Sequence, residues 1–197
     1  MSGTEIMIEG KVSLGPYEVA YPMPVSVLGT VVEGRPSFMA LAWVARVNAK
    51  PPMMAAAVGR NHVSHGAIKE AGCFSINFTS QDQRVETDYV GISTARKTSK
   101  SGVFQIFHGK LAGAPMIRSA PVSMECKLVH ELDLPSNTLF VGEVVSAWAD
   151  ESVVEDGKVD LARSRPLVLS MTDTRYWSLA AEPVGSAWRD GKEYGGG

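Results

Sequence analysis

The sequence is short of cysteine, of excess charge and of long apolar runs, and each shortage removes a class of function. Its 197 residues include only two cysteines, Cys73 and Cys126, each inside an apolar strand-like run and neither in a CxxC or Cys/His arrangement with metal spacing. Both therefore read as reduced core residues. A net charge of -2 gives no sign of a polyanion-binding surface, so nucleic acid is not an expected partner. No stretch approaches the ~20 apolar residues that cross a bilayer. Glu5 and Glu9 stand where a signal peptide would carry basic residues, so no membrane association is expected and the cytoplasm is the expected compartment. The nucleotide signatures GxGxxG and GxxxxGK[ST] do not occur, nor do GxSxG and HExxH. Of the four histidines only His62 and His65 are spaced to share a metal, and no cysteine or carboxylate beside them completes a ligand set, so no metal is expected.

What is present is a series of short β-rich runs. Residues 24–32 and 37–44 flank the turn residues Glu33, Gly34, Arg35 and Pro36, which predicts a hairpin. Residues 45–52 end in paired prolines without N–H donors and are expected to form a loop, leading into a strand over 53–58. Val63, Ala67, Ile68 and Ala71 then repeat at helical spacing, with Asn61 placed as N-cap and Gly72 as the C-terminal stop. A strand over 73–78 follows, then a second short helix over 81–90.

Residues 91–121 mix Gly, Ser, Lys and Pro and predict an excursion of loops over the surface. From Val122 alternation returns: Val122, Met124, Cys126, Leu128 and Leu132 are expected on one face, and Ser123, Glu125, Lys127, Glu131 and Asp133 on the face toward water. Residues 138–149 are apolar on both faces, and residues 167–171 form a last strand before an aromatic tail. The fold class expected is mainly β with α insertions: a β-barrel forming a single domain over residues 1–197, with a disordered C-terminal end at the last three glycines.

The strongest local feature is the run from Gly59 to His65. Unpaired N–H groups at a helix start favour an anion, and Arg60 can add a planar two-pronged contact. The same residues also suit an ordinary capped helix start. Beside them, the strand end at Trp43 followed by Ala45, Arg46, Val47 and Asn48 offers backbone amides and one flat side chain, although a lone tryptophan is more often a core or interface residue.

With these pieces in order, YPMPVSVLGT, the run from Ser37 through Phe78 and the tail YWSLAAEPVGSAW resemble the flavoredoxin and flavin reductase-like family over most of residues 20–190. That resemblance implies an FMN-binding split β-barrel, a homodimer, and FMN close to the subunit interface. It implies that Ala42, Trp43, Val44, Ala45, Arg46 and Asn48 line the flavin ring, and that Arg60, Asn61, His62, Ser64 and His65 take its phosphate. Thr94, Arg96 and Lys97 fall in the family's basic loop near the cofactor, with a solvated charged loop as the alternative. Tyr176 and Trp177 match an aromatic pair that approaches the cofactor, with anchoring of the dimer as the alternative. Ser37, Ala40, Ala42 and the Leu179-Ala180 pair depart from the family pattern.

The activity implied is an FMN-dependent oxidoreductase taking electrons from NAD(P)H or a redox protein and passing them to flavin, metal or protein acceptors. No catalytic side chain is expected, because the flavin carries the chemistry. Arg46 and Lys50 are candidates to stabilise charge near flavin N1. The alternatives are a non-enzymatic FMN electron carrier and a flavin-free binding barrel.

Overall fold

The structure, a computed structural model, describes residues 8–16, 21–93 and 102–194. The chain opens with β1 (Met23–Pro24), β2 (Ser26–Val32), β3 (Arg35–Leu41), β4 (Val44–Asn48) and β5 (Met53–Gly59), followed by helix α1 (Val63–Ala71) and β6 (Cys73–Phe78). Next come helix α2 (Arg84–Ile92), the short β7 (Ile106–Phe107) and β8 (Met116–Ile117), and the two long strands β9 (Val122–Asp133) and β10 (Asn137–Ala149). The C-terminal part holds β11 (Val154–Glu155), β12 (Lys158–Val159), α3 (Leu161–Ser164), β13 (Leu167–Ser170), β14 (Arg175–Ser178) and α4 (Gly191–Tyr194).

Strands β2 and β3 pair from Ser26–Leu41 to Val32–Arg35, leaving Glu33 and Gly34 as a two-residue turn with φ of 50° and 74°. Positive φ at both positions is what a type I′ hairpin needs to match strand twist. Pro36 is tolerated because β3 is an edge strand.

The main sheet has seven strands in the order β3-β2-β6-β9-β10-β5-β4, with antiparallel neighbours throughout. Its two edge strands, β3 and β4, are separated in sequence only by Ala42 and Trp43. A link of two residues spans less than ~11 Å, so the sheet must curl until its edges approach. Because β3 and β4 are not paired, the result is a barrel split along that seam. Leu28, Met54, Ala56, Val58, Phe74, Ile76, Cys126 and Phe140 fill the interior with Ile68 of α1, while Val27, Phe38, Val90 of α2, Phe104 and Ile117 form a second cluster. Fully buried side chains of this size contribute ~1.5–3 kcal/mol each.

Residues 45–52 are only partly the loop expected. β4 runs to Asn48, and the prolines fall in the turn beyond it, where Asn48 Nδ2 donates to the Pro51 carbonyl at 2.7 Å. The sequence argument excluded a central strand, and β4 is an edge strand paired only to β5. The last expected strand ends at Ser170, and the aromatic tail contributes a further strand, β14, paired with β13.

The described part of the excursion after α2, residues 102–121, is not a surface loop. Ala114, Met116 and Ile117 are fully buried, and this segment covers the face of β9 that alternation had turned to water. Ser123 and Glu125 are therefore inside, while Leu132, expected inside, is exposed. Glu125 shows why a carboxylate can sit there. The Lys110 amide donates to its Oε1 at 2.8 Å, the Leu111 amide to its Oε2 at 2.7 Å, and the Ser146 hydroxyl also donates to Oε1. Desolvation pushes this carboxyl up, but the three donors outweigh it and hold it below the usual range. Gly109 is required beside it, because a Cβ there would lie 2.3 Å from Oε1. Cys73 and Cys126 are buried and free, and desolvation raises both thiols, Cys126 to about 12.

Two substitutions distinguish a satisfied buried polar group from an orphan. Glu125→Ala strips the Lys110 and Leu111 amides of their acceptor and should cost ~2–5 kcal/mol in chemical denaturation. Because the Glu125 pKa is lowered by folding, its contribution is complete above the unfolded value of ~4.3 and lost as pH falls through the folded value, so the deficit of the variant should shrink in acid. By contrast Thr30 Oγ1 is buried with no hydrogen-bond partner among the described residues, so Thr30→Val should be neutral or stabilising by up to ~1 kcal/mol. A large loss there would reveal an unseen partner.

Candidate functional site

The split seam fixes the site. The Ala57 amide donates to the Trp43 carbonyl at 3.0 Å and Val44 pairs with Ala56, so the start of β4 lies beside the end of β5. Val44 packs against the core, whereas Trp43, on the other side of the strand, is 48% exposed. Along β5 the core residues are Met54, Ala56 and Val58, which leaves Ala55 and Ala57 on the opposite face with Trp43 and Ala45. Arg46 and Asn48 pair with Met54 and Met53, roughly 20 Å along the strand from Arg60. Arg46 Nε also reaches back to the Asn48 carbonyl at 3.5 Å.

From β5 the chain turns into α1 within three residues. The Arg60 amide donates to the Ser136 carbonyl and the His62 amide to the Gly59 carbonyl. A Cβ at Gly59 would stand 2.9 Å from the exposed His62 ring, which would have to swing aside. His62, not Asn61, occupies the N-cap position, and its side chain makes no capping hydrogen bond. The amides of Val63 and Ser64 have no acceptor among the described residues. Two such amides at the positive end of a nine-residue helix, with Arg60 in the turn that leads into it, form a donor set suited to one phosphate group. Ser64 itself is buried, while Arg60, Asn61 and His62 are exposed.

Behind this turn lies a hydrogen-bonded chain that the sequence did not announce. Thr138, buried at the start of β10, donates through its hydroxyl to Asp133 Oδ1 at 2.6 Å. His65 Nε2 lies 2.8 Å from the same hydroxyl oxygen, and since the Thr138 proton is already committed, His65 must be the donor. Its ring packs edge-on against Phe140 at 5.3 Å. Burial, then the charge of Lys69, lowers the His65 pKa, with Asp133 opposing. Asp133 Oδ1 also lies 3.7 Å from Arg60 Nη2, and Lys69 Nζ bonds Glu131 at 2.5 Å. Thr138 carried no distinguishing signal, since β10 also holds Asn137, Glu143 and Ser146.

The other expected residues are dispersed. Thr94, Arg96 and Lys97 lie outside the described residues, as do the three C-terminal glycines. The Tyr176 hydroxyl donates to Asp88 of α2 at 2.9 Å, and desolvation, reinforced by Asp88, pushes it up to about 12. Trp177 alternates to the other face of β14, where it borders a cavity of ≈ 390 Å³ with Tyr21, Pro22 and Leu179. An apolar cavity of ≈ 420 Å³ between Pro24, Phe78, Leu161 and Leu167 also includes none of the residues at the α1 start. No helix among the described residues is long and apolar enough to cross a membrane.

Fold and site together define a split β-barrel whose first helix starts, beside the seam, with amides that have no acceptor among the described residues. The sequence model described as "Flavin reductase like domain" matches residues 19–178, and the chain belongs to that flavin reductase-like family. Flavoredoxin from Methanosarcina acetivorans is 39% identical and superposes with a TM-score of 0.87, covering 98% of this chain and 100% of that one. Flavoredoxin of Desulfovibrio vulgaris is 29% identical, with a TM-score of 0.85, over 92% and 99% of the two chains. A ferric-chelate reductase (NAD(P)H) of Archaeoglobus fulgidus is 30% identical over 119 residues, 59% of this chain and 67% of that protein. A flavin-related redox function follows from this membership.

The His65 to Asp133 chain makes a spectroscopic prediction. In a ¹⁵N NMR titration the His65 ring should carry its proton on Nε2 and titrate below 6.5. Since folding lowers this pKa, stability should be full above pH 6.5 and decline as pH falls from there through the folded value. A midpoint above 6.5, or an Nδ1–H tautomer, would contradict the geometry.

Proposed function

We propose that the chain binds FMN as a cytoplasmic homodimeric oxidoreductase, a single domain that takes electrons from NAD(P)H or a redox protein and passes them to a flavin, metal or protein acceptor. The observation that carries the reading is the uncapped start of α1: the Val63 and Ser64 amides without acceptors, and Arg60 beside them. Such a donor set suits a terminal phosphate monoester, which is what distinguishes FMN from riboflavin. Support for the ring position comes from the seam, where Trp43 stands on the same face as Ala45, Ala55 and Ala57, small residues that leave room beside an aromatic wall. Trp43 and Val47 are also apolar and exposed, and the outer edge of β4 carries no partner strand among the described residues, which suits burial against a second copy.

In this reading bound FMN supplies the electron chemistry, and the protein positions it. Arg60 and the first amides of α1 hold the phosphate, Trp43 and its neighbours border the ring, and His65, committed through Nε2 to Thr138, acts as a neutral support. Tyr176, with its proton given to Asp88 and its pKa near 12, stays protonated across the physiological range and fastens β14 to α2.

The test is purification in FMN-supplemented buffer followed by a visible spectrum and a thermal shift. A yellow protein stabilised by FMN is the expected result, and a colourless one with no shift would sink the proposal. Arg60→Gln should weaken FMN about tenfold and leave riboflavin unchanged. Steady-state oxidation of NADH and NADPH then tests the enzyme reading, since flavin binding without turnover would leave an electron carrier.

A further inference from the structure

The Arg60 guanidinium already has an anion beside it. Asp133 Oδ1 lies 3.7 Å from Arg60 Nη2, and the same oxygen accepts the Thr138 hydroxyl at 2.6 Å. Thr138 is fully buried and faces Asp133 directly across the β9–β10 ladder, so the carboxylate is tied to the frame of the barrel. His65 Nε2 donates to Thr138 from α1 at 2.8 Å, which ties that frame to the helix whose first amides are free.

The charges facing this turn cancel. From α1 come Lys69 and the His65 ring, from the turn Arg60, and from β9 Glu131 and Asp133. Lys69 is taken by Glu131 at 2.5 Å. His65, its pKa lowered by burial, brings no charge at neutral pH. Arg60 is then the only cation of the group left for a ligand, and Asp133 shares it.

We propose that Asp133 is the resident counter-anion of the phosphate site, competing with the flavin phosphate for Arg60 and so keeping the cofactor exchangeable. The inference rests on the phosphate reading given above and deepens it. Its sign follows from two comparisons. An ion pair at 3.7 Å with both partners about half exposed positions Arg60 only weakly, so little is lost when it is broken. A fixed negative charge beside a phosphate dianion opposes binding through whatever the solvent does not screen. Repulsion therefore outweighs positioning, and removing the charge strengthens binding.

The experiment measures dissociation constants of FMN and riboflavin by flavin fluorescence for the wild-type chain and Asp133→Asn, at low and high ionic strength. Asp133→Asn should tighten FMN by ~5–10-fold, leave riboflavin within about twofold, and steepen the salt dependence of FMN binding, which should be shallow in the wild type. FMN binding that is unchanged or weaker in Asp133→Asn overturns the proposal and leaves the phosphate site standing. Equal affinity of the wild type for FMN and riboflavin removes the phosphate site itself. If Asp133→Asn does not fold, Asp133→Ser answers the same question. The salt dependence of the wild type is a separate check, since a steep one is incompatible with a neutralised Arg60.

Discussion

Two residues, Ala42 and Trp43, are all the chain has to pass from one edge of the seven-stranded sheet to the other, and the rest of the molecule is arranged around that shortage. A flat sheet of seven strands would hold its edges nearly 30 Å apart, far beyond the reach of such a link. The sheet therefore curls, its edges approach without pairing, and the seam stays open. Everything at the candidate site follows: Trp43 is stitched to Ala57, the end of β5 is delivered to the same end of the barrel, and α1 starts there.

The framework was legible because it depends on patterns of period two and on turn chemistry. The hairpin at Glu33 and Gly34, the strand over Cys73–Phe78, and the helix closed by Gly72 in the left-handed conformation all follow from local rules. The site was legible in one piece, the helix start, where Arg60 and the following polar residues break the apolar runs. Asp133 and Thr138 were not. They belong to the site through a pairing of β9 with β10, and nothing within either strand says that a water-facing aspartate will stand beside an arginine some seventy residues earlier.

Glu125 was misread for a related reason. Alternation separates the two faces of β9 only as far as Leu128, where a bulge opposite Val141 and Gly142 shifts the register and reverses the faces of Glu131, Leu132 and Asp133, and it cannot say whether the second face is covered. Here residues 102–121 cover it, and the carboxylate becomes the point to which the Lys110 and Leu111 amides attach. A buried ion is expensive unless it is fully hydrogen-bonded. The satisfaction of Glu125 by amides from the covering segment therefore means that strand and cover depend on each other. That dependence lies opposite the seam in function as well: one face of the sheet is closed by a satisfied anion, while the Val63 and Ser64 amides at the start of α1 have no acceptor among the described residues.

The protonation of the helix start adds a constraint on how selectivity can arise. His65 gives its Nε2 proton to Thr138, so the ring offers a ligand only a bare Nδ1, an acceptor that repels a phosphate oxygen. Burial and the neighbouring Lys69 disfavour the second proton that would reverse this. Recognition of an anion at neutral pH then falls on the Arg60 guanidinium and on backbone amides, donors that do not titrate in the physiological range. For the proposed phosphate ligand, whose own second ionisation lies at pH ~6, the strength of binding would be set by how completely Arg60 is released from Asp133.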